Sequence, residues 1–168
     1  MAADFGGHLS VSRDKAVATM LGELNSEQIE GLLLSETIGR IGCHAEGLTY
    51  VVPVTYVYDG ARIIGHTGEG LKVRLMRKNP QVCFEIDQVD NLANWRSVIV
   101  WGSFKELHGA EAATAMSLLI DRVMPLLASA TVHPQGQPLR PGAEHATGHP
   151  TVVFCIQIKE KTGRFEKR

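Results

Sequence analysis

Apolar residues along this chain collect in short runs punctuated by glycine, asparagine and proline, a pattern of strands joined by tight turns. The run 38–45 predicts one strand, Glu46-Gly47-Leu48-Thr49-Tyr50 turns the chain, and 51–58 predicts a second. Asp59-Gly60 is a two-residue hairpin signal leading to a third strand over 62–66. A short helix over 71–78 is stopped by Asn79-Pro80, and strands follow over 81–87 and 97–107. A sixth strand, 151–159, comes after a stretch over 133–150 that is rich in proline and glycine.

Helical signals are fewer. In Leu24-Asn25-Ser26-Glu27-Gln28-Ile29, Asn25 is the expected cap, Gln28 its reciprocal partner, and Leu24 with Ile29 the hydrophobic staple. Over 111–124, Ala112, Ala115, Met116, Leu119, Ile120 and Val123 fall on one face of an amphipathic helix, which Pro125 ends or kinks. The expected fold is mainly β: about six antiparallel strands in a closed or partly closed barrel, with two or three flanking helices. A chain of 168 residues suits one domain over 1–168, with 1–22 as an N-terminal arm and 133–150 as a long surface loop.

Charge narrows the function. Seventeen Lys plus Arg against 18 Asp plus Glu remove the electrostatic motive for nucleic acid or an anionic membrane as partner. No apolar run has the length of a bilayer span, and the first residues lack the pattern of a secretory signal, so a cytoplasmic location is expected. Cys43, Cys83 and Cys155 form no CxxC pair and lie in apolar stretches, as free cysteines do. His145 and His149 have helical ligand spacing, but Gly148 and Pro150 argue against a helix there, so no metal site is expected. There is no GxSxG elbow, and the adjacent Cys43 and His44 point to opposite faces of a strand.

Candidate chemistry centres on GHTGEGLKVRLMRKNP, residues 65–80. Lys72 falls in the first turn of a helix, where the backbone already carries partial positive charge. A bound phosphate would resolve that conflict: Gly68 and Gly70 permit converging amides, Thr67 adds a hydroxyl, and Lys72 supplies charge. A solvated basic helix with a glycine at its start fits the same residues. His66, at the strand end, could donate to a phosphate or face a ligand's ring; it could equally be a strand histidine satisfied by backbone groups.

The order of parts adds more. IGRIGCH, then YVVPVTYVYDGARIIGHTGEGLKVRLMRKNPQVCFEID, then WRSVIVWGSFKEL resembles the pyridoxamine 5′-phosphate oxidase-like split-barrel flavoproteins, nearest their nitroimidazole-resistance (Nim-like) branch. The likeness runs over 36–127 and more weakly through FCIQIKEKTGR. It implies a six-stranded split β-barrel with FMN at a homodimer interface. Val52, Pro53, Val54, Thr55 and Tyr56 would lie beside the isoalloxazine and ribityl chain. His66, Thr67 and Lys72 would hold the phosphate, and Ser97 and Val98 would contact the ring from the side or from the partner subunit.

Departures from the family pattern limit the substrate. Leu71 stands where an arginine usually precedes the lysine, the second strand lacks its basic cluster, and TGRFEKR lacks the substrate-binding arginine and histidine. Pyridoxamine phosphate is therefore not the expected substrate, and the histidine at position 66 is typical of the Nim-like branch. The resemblance implies a flavin-dependent oxidoreductase that takes electrons from a nicotinamide or similar donor and reduces a small nitroaromatic or quinone-like acceptor. His66 is its candidate catalytic residue, orienting flavin or ligand. A flavin carrier or sensor, a cofactor-free structural dimer, and a haem or deazaflavin occupant are the alternatives.

Overall fold

The computed structural model describes residues 20–127 and 151–168. Most of the expected N-terminal arm, the 133–150 loop, and His145 and His149 lie outside the described residues. Along the chain run β1 (Met20–Glu23), α1 (Ser26–Ser35), β2 (Ile38–Ala45), β3 (Leu48–Tyr58), β4 (Arg62–Gly68), α2 (Leu71–Lys78), β5 (Gln81–Asn91), β6 (Asn94–Glu106), α3 (Gly109–Leu127) and β7 (Thr151–Lys167). No helix among the described residues is long and apolar enough to cross a membrane.

All strand pairs are antiparallel, and the pairings β2–β3–β4–β7–β6–β5 return to β2, closing a six-stranded ring. The expected barrel is therefore the fold, with β1 added as a short seventh strand along the end of β7. β1 begins inside the region read as an arm and ends one residue beyond it, because four residues are too few to show a period and Met20 and Leu21 remain exposed. β5, β6 and β7 also run further than expected, through the polar stretches around Asn91 and Arg164. Backbone pairing carries most of those extensions, with Phe165 of β7 also packing on the core. Pro125 lies inside α3 rather than ending it.

Local chemistry explains the turns. The β2–β3 hairpin closes through Glu46 and Gly47, both at positive φ (54° and 76°), as a right-twisted two-residue loop demands. At the next hairpin the loop is Gly60-Ala61 rather than Asp59-Gly60. Asp59 Oδ1 accepts from the amides of Ala61 and Arg62, which shifts the turn by one residue. The capping box of α1 forms as expected, Gln28 N donating to Asn25 Oδ1 and Asn25 N to Gln28 Oε1, each at 2.9 Å.

Two apolar layers result. The barrel interior holds Ile41, Val54, Tyr56, Phe84, Ile86, Val98, Val100 and Phe154, with Leu32 and Leu33 of α1 closing one end. Tyr56 packs edge-on to Phe84 at 4.9 Å and donates its hydroxyl to Leu33 O at 2.9 Å, joining barrel to helix. Outside the barrel, α3 places Ala115, Met116 and Leu119 on Ile64 and Cys155. Alternation along β4 thus sends Ile63 inward and Ile64 out to α3.

At the β6–β7 irregularity beside Trp101, a Cβ on Gly102 would stand 2.5 Å from the carbonyl oxygen of Gln157. Backbone cannot yield there as a side-chain tip can. Gly102→Ala is expected to lower stability by about 1–3 kcal/mol in urea unfolding. Tyr56→Phe, which leaves the Leu33 carbonyl without its buried donor, is expected to lower it by about 1 kcal/mol in the same experiment.

Candidate functional site

The barrel is split at one place. β3 and β4 pair at Tyr58↔Ile63, Val57↔Ile64 and Tyr56↔Gly65, and no further. Beyond Tyr56, β3 continues paired to β2 alone, while β4 continues from Gly65 to Gly68 paired to β7 alone. One edge of the parting is 51–55, the other 66–68, and the chain from the second edge runs directly into α2. Pro53 lies where β3 pairs with β2 alone, so one edge is open, the sort of position where a missing amide is tolerated.

This arrangement brings most of the expected site residues together. Val52, Pro53, Val54, Thr55 and Tyr56 lie on or beside the first edge, His66 and Thr67 on the second, and Lys72 at the start of the helix beyond it. Their side chains divide between two faces. Val54 and Tyr56 are buried in the barrel interior and Val52 packs against it, so those residues offer the parting only backbone, whereas Pro53 and Thr55 face outward. His66 shares the outward face of Ile64 and pairs in register with Val153, on the α3 side; Thr67 takes the opposite face and donates its hydroxyl to Gly68 O. His66 and Thr67 therefore do not reach one point with both side chains.

Ser97 and Val98 stand apart. The Lys72 end of the barrel is marked by Cys43, which pairs with Val82, which in turn pairs with Gly102. Ser97 is five residues further along β6, about 17 Å at strand spacing. Val98 is fully buried in the core, while Ser97 faces outward with Ile99 and Trp101. A cavity of about 500 Å³ also lies at this far end, lined by Trp95, Arg96, Phe165 and Met20. It does not include Lys72.

Electrostatics single out Lys72. α2 begins at Gly70 without a side-chain cap, leaving the amides of its first turn available. Of its other basic residues, Arg77 pairs with Glu69 and Glu106, Lys78 pairs with Glu46, and Arg74 points to solvent. Lys72 has no carboxylate partner among the described residues and is half-buried. Burial lowers its pKa, opposed by the nearby Cys43 thiol; burial and Cys83 push the Cys43 thiol up, against Lys72. A part-desolvated cation at an uncapped helix start, with no acid of its own, is the donor set that a phosphate monoester requires.

Two features of this site carry no pattern in the sequence. Cys43 meets Lys72 only because α2 packs on β2. Glu69, Arg77 and Glu106 come together across three separate elements, at spacings that match neither helix nor strand.

The residues 25–165 match the pyridoxamine 5′-phosphate oxidase family model, and the chain belongs to that family of split-barrel proteins. A protein of Rhizobium meliloti (strain 1021) is 29% identical over 147 residues, 84% of this chain and 92% of that one. Among solved structures, the chain is similar to an FAD-binding protein from Mesorhizobium loti, with a TM-score of 0.68 and 24% identity over 90% of this chain and 100% of that one. It is also similar to a protein assigned to 5-nitroimidazole antibiotic resistance in Bacteroides thetaiotaomicron, with a TM-score of 0.64 and 18% identity over 89% and 92%. At these identities the two structures speak to the fold.

The depressed pKa of Lys72 has a stability consequence with a definite sign. Folding disfavours its charged form, so the penalty is fully present below the lowered folded value and fades as pH rises towards the ordinary 10.5. Over that upper interval the wild type is expected to gain stability relative to Lys72→Met, measured as the difference in urea midpoint against pH. Parallel pH profiles would mean that Lys72 is solvated.

Proposed function

We propose that this protein binds FMN in the parting between β3 and β4 and acts, as a homodimer, as a flavin-dependent oxidoreductase of the Nim-like branch. The observation that carries the reading is Lys72: half-buried, without an acid partner among the described residues, in the first turn of an uncapped helix beside the split. Lys72 and the first-turn amides hold the phosphate, with the Thr67 backbone beside them. The open edge of 51–55 lies along the ribityl chain and ring, and outward-facing Thr55 and His66 reach them with side chains. When bound, FMN supplies two-electron chemistry between a reduced nicotinamide donor and a small nitroaromatic or quinone-like acceptor. The protein holds the cofactor, orients it through His66 and sets the polarity around it.

The lining supports an acceptor without a phosphate of its own. Val51, Pro53 and Thr55 are uncharged, and Leu71 stands beside Lys72, so no second cationic cluster is present on those positions for pyridoxamine phosphate. The likeness to the Bacteroides protein agrees with a nitroaromatic acceptor. The Mesorhizobium relative binds FAD, whose phosphate next to the ribityl chain would take the same cradle.

The dimer reading rests on the outer face of the sheet. Val51, Ile38, Ile99 and Trp101 are 61%, 58%, 37% and 41% exposed and share the outward side of β3, β2 and β6. Several large apolar residues on one outward side, with the Arg40, Glu85 and Asp87 ion pairs among them, favour an interface. Ser97 shares that face, so a second copy is the route by which it reaches a flavin.

The purified protein is expected to show paired flavin absorbance bands, directly or after incubation with FMN, and Lys72→Ala to weaken FMN binding about ten-fold or more. Absence of bands and of binding would end the flavin reading; bands without reoxidation by a nitroaromatic under a nicotinamide donor would leave a carrier. Trp101→Glu is expected to shift the protein from dimer to monomer in light scattering, and a wild-type monomer would remove the interface assignment.

A further inference from the structure

An acid lies inside the proposed phosphate turn. Glu69 sits between Gly68 and Gly70, immediately before the helix start that faces the anion. Left alone, its carboxylate would repel a phosphate dianion and compete with it for Lys72. It is held elsewhere: Arg77, in the last turn of α2, donates from Nη1 to Glu69 Oε1 at 2.8 Å. Arg77 is itself fixed from below by Glu106 at the end of β6, Nε to Oε1 at 2.5 Å and Nη2 to Oε2 at 3.1 Å, a two-point contact. The pairing with Arg77 also lowers the pKa of Glu106, keeping that anchor charged. Lys72 is left with no carboxylate partner among the described residues.

Resting on the FMN reading, we infer that Arg77 is a positioning and specificity residue for the flavin phosphate: it draws the Glu69 carboxylate away from Lys72, leaving the helix start open to a phosphate-bearing flavin. Arg77 need not touch the ligand. Its guanidinium is committed to two acids, and it acts through the charge it removes from the turn. The same three groups could form an ordinary surface ion-pair cluster, and such clusters contribute little. The two cases differ in what they do to phosphate recognition.

The test compares FMN with riboflavin, which lacks the phosphate, by fluorescence titration of the full chain, with Tm recorded for each variant. Arg77→Gln is expected to weaken FMN binding roughly ten-fold while changing riboflavin binding less than about two-fold. Adding Glu69→Gln to that variant is expected to restore FMN affinity, because the unmasked charge is gone. Glu69→Gln alone, which retains the Arg77–Glu106 contact, is expected to bind FMN at least as tightly as the wild type; if Arg77→Gln does not fold, Arg77→Lys, which keeps the charge but loses the two-point contact, carries the same comparison of FMN with riboflavin. Unchanged FMN affinity in Arg77→Gln would overturn the inference. So would equal losses of FMN and riboflavin without rescue, or weakened FMN binding in Glu69→Gln. A wild type that binds neither flavin would instead overturn the underlying flavin reading.

Discussion

The parting of β3 from β4 after the Tyr56↔Gly65 pair is the constraint on which the rest of the structure depends. A fully paired barrel has no free backbone to offer a ligand. Here the two strands are held together at one end by the Gly60-Ala61 turn and three residue pairs. They then take different partners, β2 on one side and β7 on the other. The barrel stays closed as a ring of pairings, yet a stretch of strand edge is left over. The helix that bridges from β4 to β5 starts at the mouth of that opening.

The core holds both edges of this opening in place. Tyr56, the last β3 residue before the parting, is fully buried, packs on Phe84 and reaches the carbonyl of Leu33. On the other side, Ile64 is clamped under α3, and a Cβ on Gly65 would meet the Phe154 ring at 2.6 Å. Each strand is thus fixed by interior packing at the point where pairing stops. Neither can slide to re-form the ladder without breaking that packing, since a one-residue slip would reverse the faces of all its side chains.

Charge is distributed to match. The acids nearest α2 are each matched to a base: Glu69 and Glu106 to Arg77, and Glu46 to Lys78. That leaves Lys72, near the Cys43 thiol, as the half-buried cation at the helix start. The family match over 25–165 accords with the barrel, and the placement of that lysine beside the split gives the cofactor reading its physical basis.

Much of this was legible in the chain alone, where the signal is local. The capping box at Asn25 and Gln28, the breaks at Asn79-Pro80 and the short apolar runs depend on neighbouring residues, and they predict α1, α2 and the barrel strands. The unusual position of Lys72 is also a local fact, because a helix start repels a cation wherever it occurs. What needed the folded chain was everything set by residues far apart. The largely polar far lengths of β5, β6 and β7 become strand where a neighbouring backbone pairs with them. Strand alternation puts His66 and Thr67 on opposite faces, but which face lies on the α3 side is set by the packing of Ile64 and Cys155 under that helix. The separation of Ser97 from Lys72, and the meeting of Glu69, Arg77 and Glu106, follow from strand register, which no short window of sequence encodes.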